Sequence, residues 1–159
     1  MARPGQDHVS RGLGLAVATA KPAKASWEGD IKNGRGTMRS QSGAVDGAYS
    51  FASRFEDGRG SKPEELIAAA HAGCFAMALS LMLGKAGHEI ERIDAQAAVI
   101  IRQVDGEPTI TEVQLDVTAR SKDIEEDEFR RIAEEAKVGC PVSRTLAGAE
   151  IKLGARLAG

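Results

Sequence analysis

SKPEELIAAAHAGCFAMALSLMLGKA, residues 61–86, is the longest apolar stretch of the chain, and its reading decides the fold. Leu66, Ala70, Cys74, Met77 and Leu81 recur at helical spacing, so Cys74 falls on an apolar stripe. Ile67, Leu79 and Leu83 widen that stripe nearly all round, which predicts a helix buried on several sides. Its start is marked by Ser61 and Glu64 at capping-box spacing and by Pro63, whose missing N–H has no partner to lose in a first turn. Gly87 is a natural stop. The run Phe75–Leu83 is followed by Gly84 and Lys85 and is too short to cross a bilayer.

The segments before this helix read as a meander. Ala25–Lys32 partly alternates, with Trp27 and Ile31 able to face a core, and Asn33-Gly34 is a hairpin signal because both residues tolerate positive φ. Gly36–Gln41 is the expected return strand. Tyr49–Phe55 (YSFASRF) alternates strictly and is expected as a third strand, with Arg54 on the face opposite Tyr49, Phe51 and Phe55. Glu56–Lys62 is a polar, Gly-rich loop. After the helix, Ile93–Val104 and Thr109–Arg120 form a second hairpin around Asp105-Gly106-Glu107-Pro108. Ile124–Val138 is amphipathic, with Ile124, Phe129, Ile132, Ala133 and Ala136 inward. A short helix near Val142–Leu146 and an alternating strand, Glu150–Leu157, complete the chain. The order βββ-α-ββ-αα-β indicates an α+β fold of mainly antiparallel sheets around a long central helix.

Composition narrows the partners. A chain of 159 residues with 42% hydrophobic and 28% charged residues is expected to hold one domain, residues 21–159, with a real core. Residues 1–20 read as a mobile extension. Leu13–Ala20 falls short of a secretion signal: it is short, Gly-interrupted, and preceded by Asp7. A net charge of −2 marks neither a nucleic-acid nor a membrane partner. Two cysteines do not make a disulfide framework and fit a reducing, cytoplasmic setting.

Chemistry therefore rests on few residues. Cys74 admits two readings. It is a packed small hydrophobe, or it is a reactive thiol that needs a cation or strong donors to offset its burial. Cys140 precedes Pro141, which starts a helical turn, so the thiol lies at an N-cap whose free N–H groups favour a thiolate; a buried turn cysteine is the alternative. Arg54 is either a surface arginine or the charge that stabilises a thiolate and polarises a peroxide. Glu64 caps the helix or orients an arginine, with Glu65 adjacent. His71 lies one turn before Cys74, as its base or, more simply, as a packed histidine with a satisfied hydrogen bond. No C-x-x-C pair exists, and neither a metal nor another cofactor is expected.

Three stretches, WEGDIKNGRGT (27–37), FASRFEDGRGSKPEELIAAAHAGCFAMALSLML (51–83) and KVGCPVSRTL (137–146), resemble the osmotically inducible protein C (OsmC) family of thiol peroxidases, relatives of the organic hydroperoxide resistance (Ohr) proteins. The resemblance spans residues 24–157 and implies an intertwined homodimer with central helices. It implies Cys74 as peroxidatic cysteine, Cys140 as resolving cysteine, Arg54 as the stabiliser of the thiolate, and Glu64 as the group that orients Arg54. It also implies organic hydroperoxides as substrates and a dithiol of dihydrolipoyl type as reductant. Gly73 stands where the family more often has alanine.

Overall fold

The computed structural model describes residues 20–158. The proposed mobile extension, residues 1–20, therefore lies outside it except for Ala20. The chain divides into two units after Ser61.

The first unit is a three-stranded antiparallel meander, β1 (Ala23–Glu28), β2 (Arg35–Ser40) and β3 (Asp46–Ser50), followed by a short helix, α1 (Phe51–Phe55). The turn between β1 and β2 is wider than an Asn-Gly hairpin. Gly29 takes the positive φ, at 91°, and the Asp30 carboxylate accepts from the backbone N–H groups of Lys32 and Asn33 and from the Asn33 amide. Those donors, the Asn33 backbone first, hold the Asp30 carboxyl below its ordinary pKa. Ile31, placed on this turn rather than in a strand, is 65% exposed and does not reach a core. Trp27 instead meets Tyr49 across the sheet, ring centroids 5.4 Å apart. The Tyr49 ring packs over Gly36, where an added Cβ would collide with it and with the Ser26 carbonyl, and the Trp27 ring lies over Gly34.

The expected strand Tyr49–Phe55 breaks in two. Ser50 ends β3 and caps α1: its hydroxyl accepts from the Ser53 N–H, and the Ser53 hydroxyl accepts from the Ser50 N–H, a reciprocal capping box. Phe51 and Phe55 have the spacing of one helical turn as well as of a strand face. The helix wins, with the two rings 5.1 Å apart. Arg54 thus stands on a helix, not a strand, with its guanidinium 4.9 Å from the Phe55 ring centroid.

The second unit is built on α2 (Pro63–Lys85), the 23-residue helix. Pro63 sits in its first turn as expected, but the cap is Lys62, which offers no side-chain hydrogen bond, so the Ser61/Glu64 capping box does not form. Ser61 is engaged elsewhere: its N–H donates to the Ala48 carbonyl, and its carbonyl accepts from Ser53. By length and hydropathy α2 meets the requirement for a membrane crossing. Its row His71, Phe75, Leu79 and Leu83 is nevertheless buried in protein, which makes it a core helix. That row is not the expected stripe. Cys74 stands beside it, half-buried, and Met77 is 76% exposed in the single chain.

A second sheet, in the order β4-β5-β6, supplies the other wall. β4 (Ile90–Val104) and β5 (Glu107–Ser121) are antiparallel and longer than expected, joined by Asp105 (φ 50°) and Gly106 (φ 85°). Two consecutive positive φ values are the primed-turn geometry that matches strand twist. Pro108 falls inside β5, beyond the reach of β6, whose pairing begins at Glu112–Glu150; only there is its missing N–H harmless. β6 (Glu150–Leu157) lies parallel to β5, a departure from the antiparallel expectation that the crossover through α3 (Glu126–Gly139) and α4 (Pro141–Thr145) permits. Val113, Leu115, Val117 and Ala119 of β5 face inward, and Phe129, Ile132, Ala133 and Ala136 of α3 are buried as their spacing predicts.

Glu112 is the buried exception on β5. Its carboxylate accepts from Gln114 (2.8 Å) and Arg102 (3.1 Å) and pairs with Lys152 (3.1 Å). These partners, Gln114 and then Lys152 foremost, bring its pKa from the ordinary 4.5 to about 2.

Two outcomes are expected. Leu79→Ala should cost about 2–5 kcal/mol of unfolding free energy in urea titration, because the emptied site is enclosed. Glu112 has a lower pKa folded than unfolded, so its stabilisation is full above pH 4.5 and is lost as pH falls toward 2. Glu112→Gln should therefore lower stability at pH 7 and flatten its fall below pH 4.5, read from urea midpoints at a series of pH values.

Candidate active site

Within the second unit three elements bring the candidate chemistry together. α2 carries Cys74 on the flank of its buried row. α3 ends and α4 begins at Cys140, which is at once the C-cap of one and the N-cap of the other. Its N–H donates to the Ala136 carbonyl (2.9 Å), finishing α3, and its carbonyl accepts from Arg144 (3.0 Å), starting α4. Pro141 makes this reversal possible, since it supplies no N–H to continue α3 and has the φ of a first helical turn. Cys140 is fully buried in the same cluster as Phe75, Leu79 and Phe129, with Cys74 packed against that cluster.

The two thiols are neighbours, and both are free. Burial pushes the Cys74 pKa above that of an ordinary thiol, the Val142 N–H opposes this, and the neighbouring Cys140 adds to it. The expected help from the start of α4 thus reaches Cys74, through Val142, while Cys140 makes no side-chain cap hydrogen bond.

A second contact runs beside the first. His71, three residues before Cys74, places Nε2 2.7 Å from the hydroxyl of Ser143, three residues after Cys140. Both residues are buried. His71 Nδ1 has no hydrogen-bond partner, so the packed histidine is satisfied at one nitrogen only. Burial lowers its pKa and keeps the imidazole neutral at pH 7. Val142 and Ser143 fall within the KVGCPVSRTL stretch, which by itself gives neither a role. Their signal is positional: once Pro141 starts a turn at Cys140, Ser143 shares the Cys140 face, as His71 shares that of Cys74.

Arg54 lies on α1 of the first unit, and Glu64 stands beside Glu65 in the first turn of α2 in the second, where both acids complement the helix dipole.

The model of the family described as OsmC-like protein matches residues 56–154. Peroxiredoxin OsmC of Escherichia coli (strain K12) is 48% identical over 134 residues, covering 84% of this chain and 93% of its own, and Peroxiredoxin OsmC of Shigella flexneri matches equally. Among solved structures, the organic hydroperoxide resistance protein OhrB of Bacillus subtilis is 22% identical with a TM-score of 0.62, over 86% of this chain and 98% of its own. An OsmC-like protein of Mycoplasma pneumoniae is 16% identical with a TM-score of 0.70, over 89% and 99%. These two share the fold. With two adjacent thiols at its core and relatives that are peroxiredoxins, the chain belongs to the OsmC family and is a thiol peroxidase.

Proposed function

We propose that the protein reduces organic hydroperoxides to alcohols with Cys74 as the attacking thiol and Cys140 as the resolving one. The observation that carries this reading is the nearness of the two thiols, Cys74 packed against the apolar cluster that holds Cys140. In the first step the Cys74 thiolate attacks the distal oxygen of the hydroperoxide. The O–O bond breaks, its electron pair leaves with the alkoxide, which is protonated to the alcohol, and Cys74 becomes a sulfenic acid. In the second, the Cys140 sulfur displaces that hydroxyl, forming a Cys74–Cys140 disulfide and releasing water. An external dithiol, of dihydrolipoyl type by analogy with the family, returns both thiols by exchange. Apolar walls favour an alkyl hydroperoxide over hydrogen peroxide, since burying each methylene contributes about 0.8 kcal/mol.

Arg54 supplies the charge the thiolate needs, and Glu64 holds Arg54 by a charge-assisted pair; Glu65 is the neighbouring candidate for that duty. The raised pKa of Cys74 supports an added cation, because one backbone N–H does not offset burial. The active form is a homodimer. What supports this is α2, whose apolar Met77 and small Ala69, Ala70 and Gly73 are exposed in the single chain, a face a second copy would cover. The protein works in the cytoplasm, where two free thiols stay reduced between turnovers.

Cys74→Ser should bring dithiol-dependent consumption of cumene hydroperoxide to background; turnover at the wild-type rate would overturn the proposal. Cys140→Ser should consume one equivalent and stall with a dimedone-reactive sulfenic acid, and unimpaired multiple turnover would remove Cys140 from the cycle. Arg54→Ala should shift the pH midpoint of Cys74 alkylation upward by about 1–3 units. An unmoved midpoint would strip Arg54 of its role.

A further inference from the structure

The cycle just proposed requires Cys140 to stay within reach of Cys74, yet α4, the helix it begins, is only five residues long. A single turn has almost no stability of its own, because the cost of nucleating a helix is not recovered over so few residues. Cys140 offers no side-chain cap to it. Something outside α4 must fix its position.

We propose that His71 and Ser143 are positioning residues, a polar clasp between α2 and α4 that sets the equilibrium between the Cys74–Cys140 dithiol and its disulfide. The inference rests on the redox cycle above and adds to it the device that holds the pair in register. Four side chains carry it. On α2, His71 and Cys74 are three residues apart and so project to one side; on α4, Cys140 and Ser143 have the same spacing. The thiols are neighbours at one level, and the imidazole and hydroxyl are 2.7 Å apart at the next. Val142 lies between Cys140 and Ser143 in the chain and its N–H acts on Cys74, so the clasp also places that group.

The chemistry of the clasp suits a static role. Nδ1 is buried without a partner. Nε2 and Ser143 Oγ share the one hydrogen bond this imidazole makes. A buried imidazole that stays neutral keeps this bond through the physiological range. An apolar pair at that position would hold α4 without fixing its rotation. The single hydrogen bond supplies direction, because such bonds weaken steeply away from linearity.

The steps under control are Cys74–SOH + Cys140–SH → Cys74–S–S–Cys140 + H2O, and the exchange Cys74–S–S–Cys140 + external dithiol ⇌ Cys74–SH + Cys140–SH + external disulfide. The clasp raises the effective concentration of one sulfur at the other and so favours the disulfide.

Ser143→Ala removes the hydroxyl that bonds His71 and keeps a residue suited to the helix of α4. The Cys74–Cys140 equilibrium is read in dithiothreitol redox buffers by mass shift after alkylation, and the lifetime of the Cys74 sulfenic acid by dimedone trapping after one equivalent of hydroperoxide. The expected result is about a tenfold weaker disulfide, a potential about 30 mV less negative, with a sulfenic acid about tenfold longer-lived. Ser143→Thr, which restores a hydroxyl, should recover most of both. A potential and a lifetime within twofold of wild type in Ser143→Ala would overturn the clasp while leaving the cycle intact. Failure of the wild-type protein to form any Cys74–Cys140 bridge would overturn the cycle and the clasp with it. Because the equilibrium is measured without turnover, the two failures are distinguishable.

Discussion

Burial of one helical row, His71, Phe75, Leu79 and Leu83, is the constraint on which the second unit depends. Four residues at intervals of one turn lock α2 against α3 and the β4-β5-β6 sheet, and the rotation of the helix about its axis is then fixed. Cys74 lies one position from Phe75, so its half-buried placement follows from where Phe75 must go. A different rotation would either bury the thiol among aliphatic side chains or turn it out. The site is thus a consequence of core packing, and the packing energy of large apolar side chains is what positions a small reactive one.

The same core explains why the pair of thiols is chemically uneven. Cys140 sits at full burial where two helices change direction, and Cys74 sits at the margin of the cluster with one backbone donor from the opposing helix. In the proposed cycle the sulfur nearer the margin meets the substrate and the sulfur at the joint meets its neighbour, so that attack and resolution are separated by depth rather than by residue type.

Much of this was legible in sequence, for identifiable reasons. The Phe129–Ile132–Ala133–Ala136 face of α3 has one polar side and one apolar side, so periodicity identifies it without ambiguity. In α2 nearly every position is apolar, and periodicity then loses its power: Met77 and Leu79 look equally entitled to the core, and only packing decides between them. The segment Tyr49–Phe55 failed differently. Its alternation fits a strand, and its Phe51–Phe55 spacing fits a helix; the Ser50–Ser53 box, read as strand residues, was the deciding local signal. The parallel pairing of β6 had no local signal at all, because strand direction depends on the length and path of the crossover. Cys74 and Cys140 stood out as the only two cysteines, whereas Ser143 did not, since a serine after a proline is unremarkable until the helix opposite it is known.

The two-residue turn at Asp105-Gly106 has a consequence for how the molecule assembles. Closing β4 on β5 spans two residues, whereas bringing β6 beside β5 closes the 28 residues between Ser121 and Glu150. On loop-closure entropy alone the second event is dearer by about 2 kcal/mol. The hairpin therefore closes at a smaller entropic cost than the excursion that carries Cys140. The neighbourhood of the two sulfurs is tied to the costlier of the two closures, so the loss of β6 pairing would loosen Cys140 while leaving the β4–β5 hairpin its own short turn.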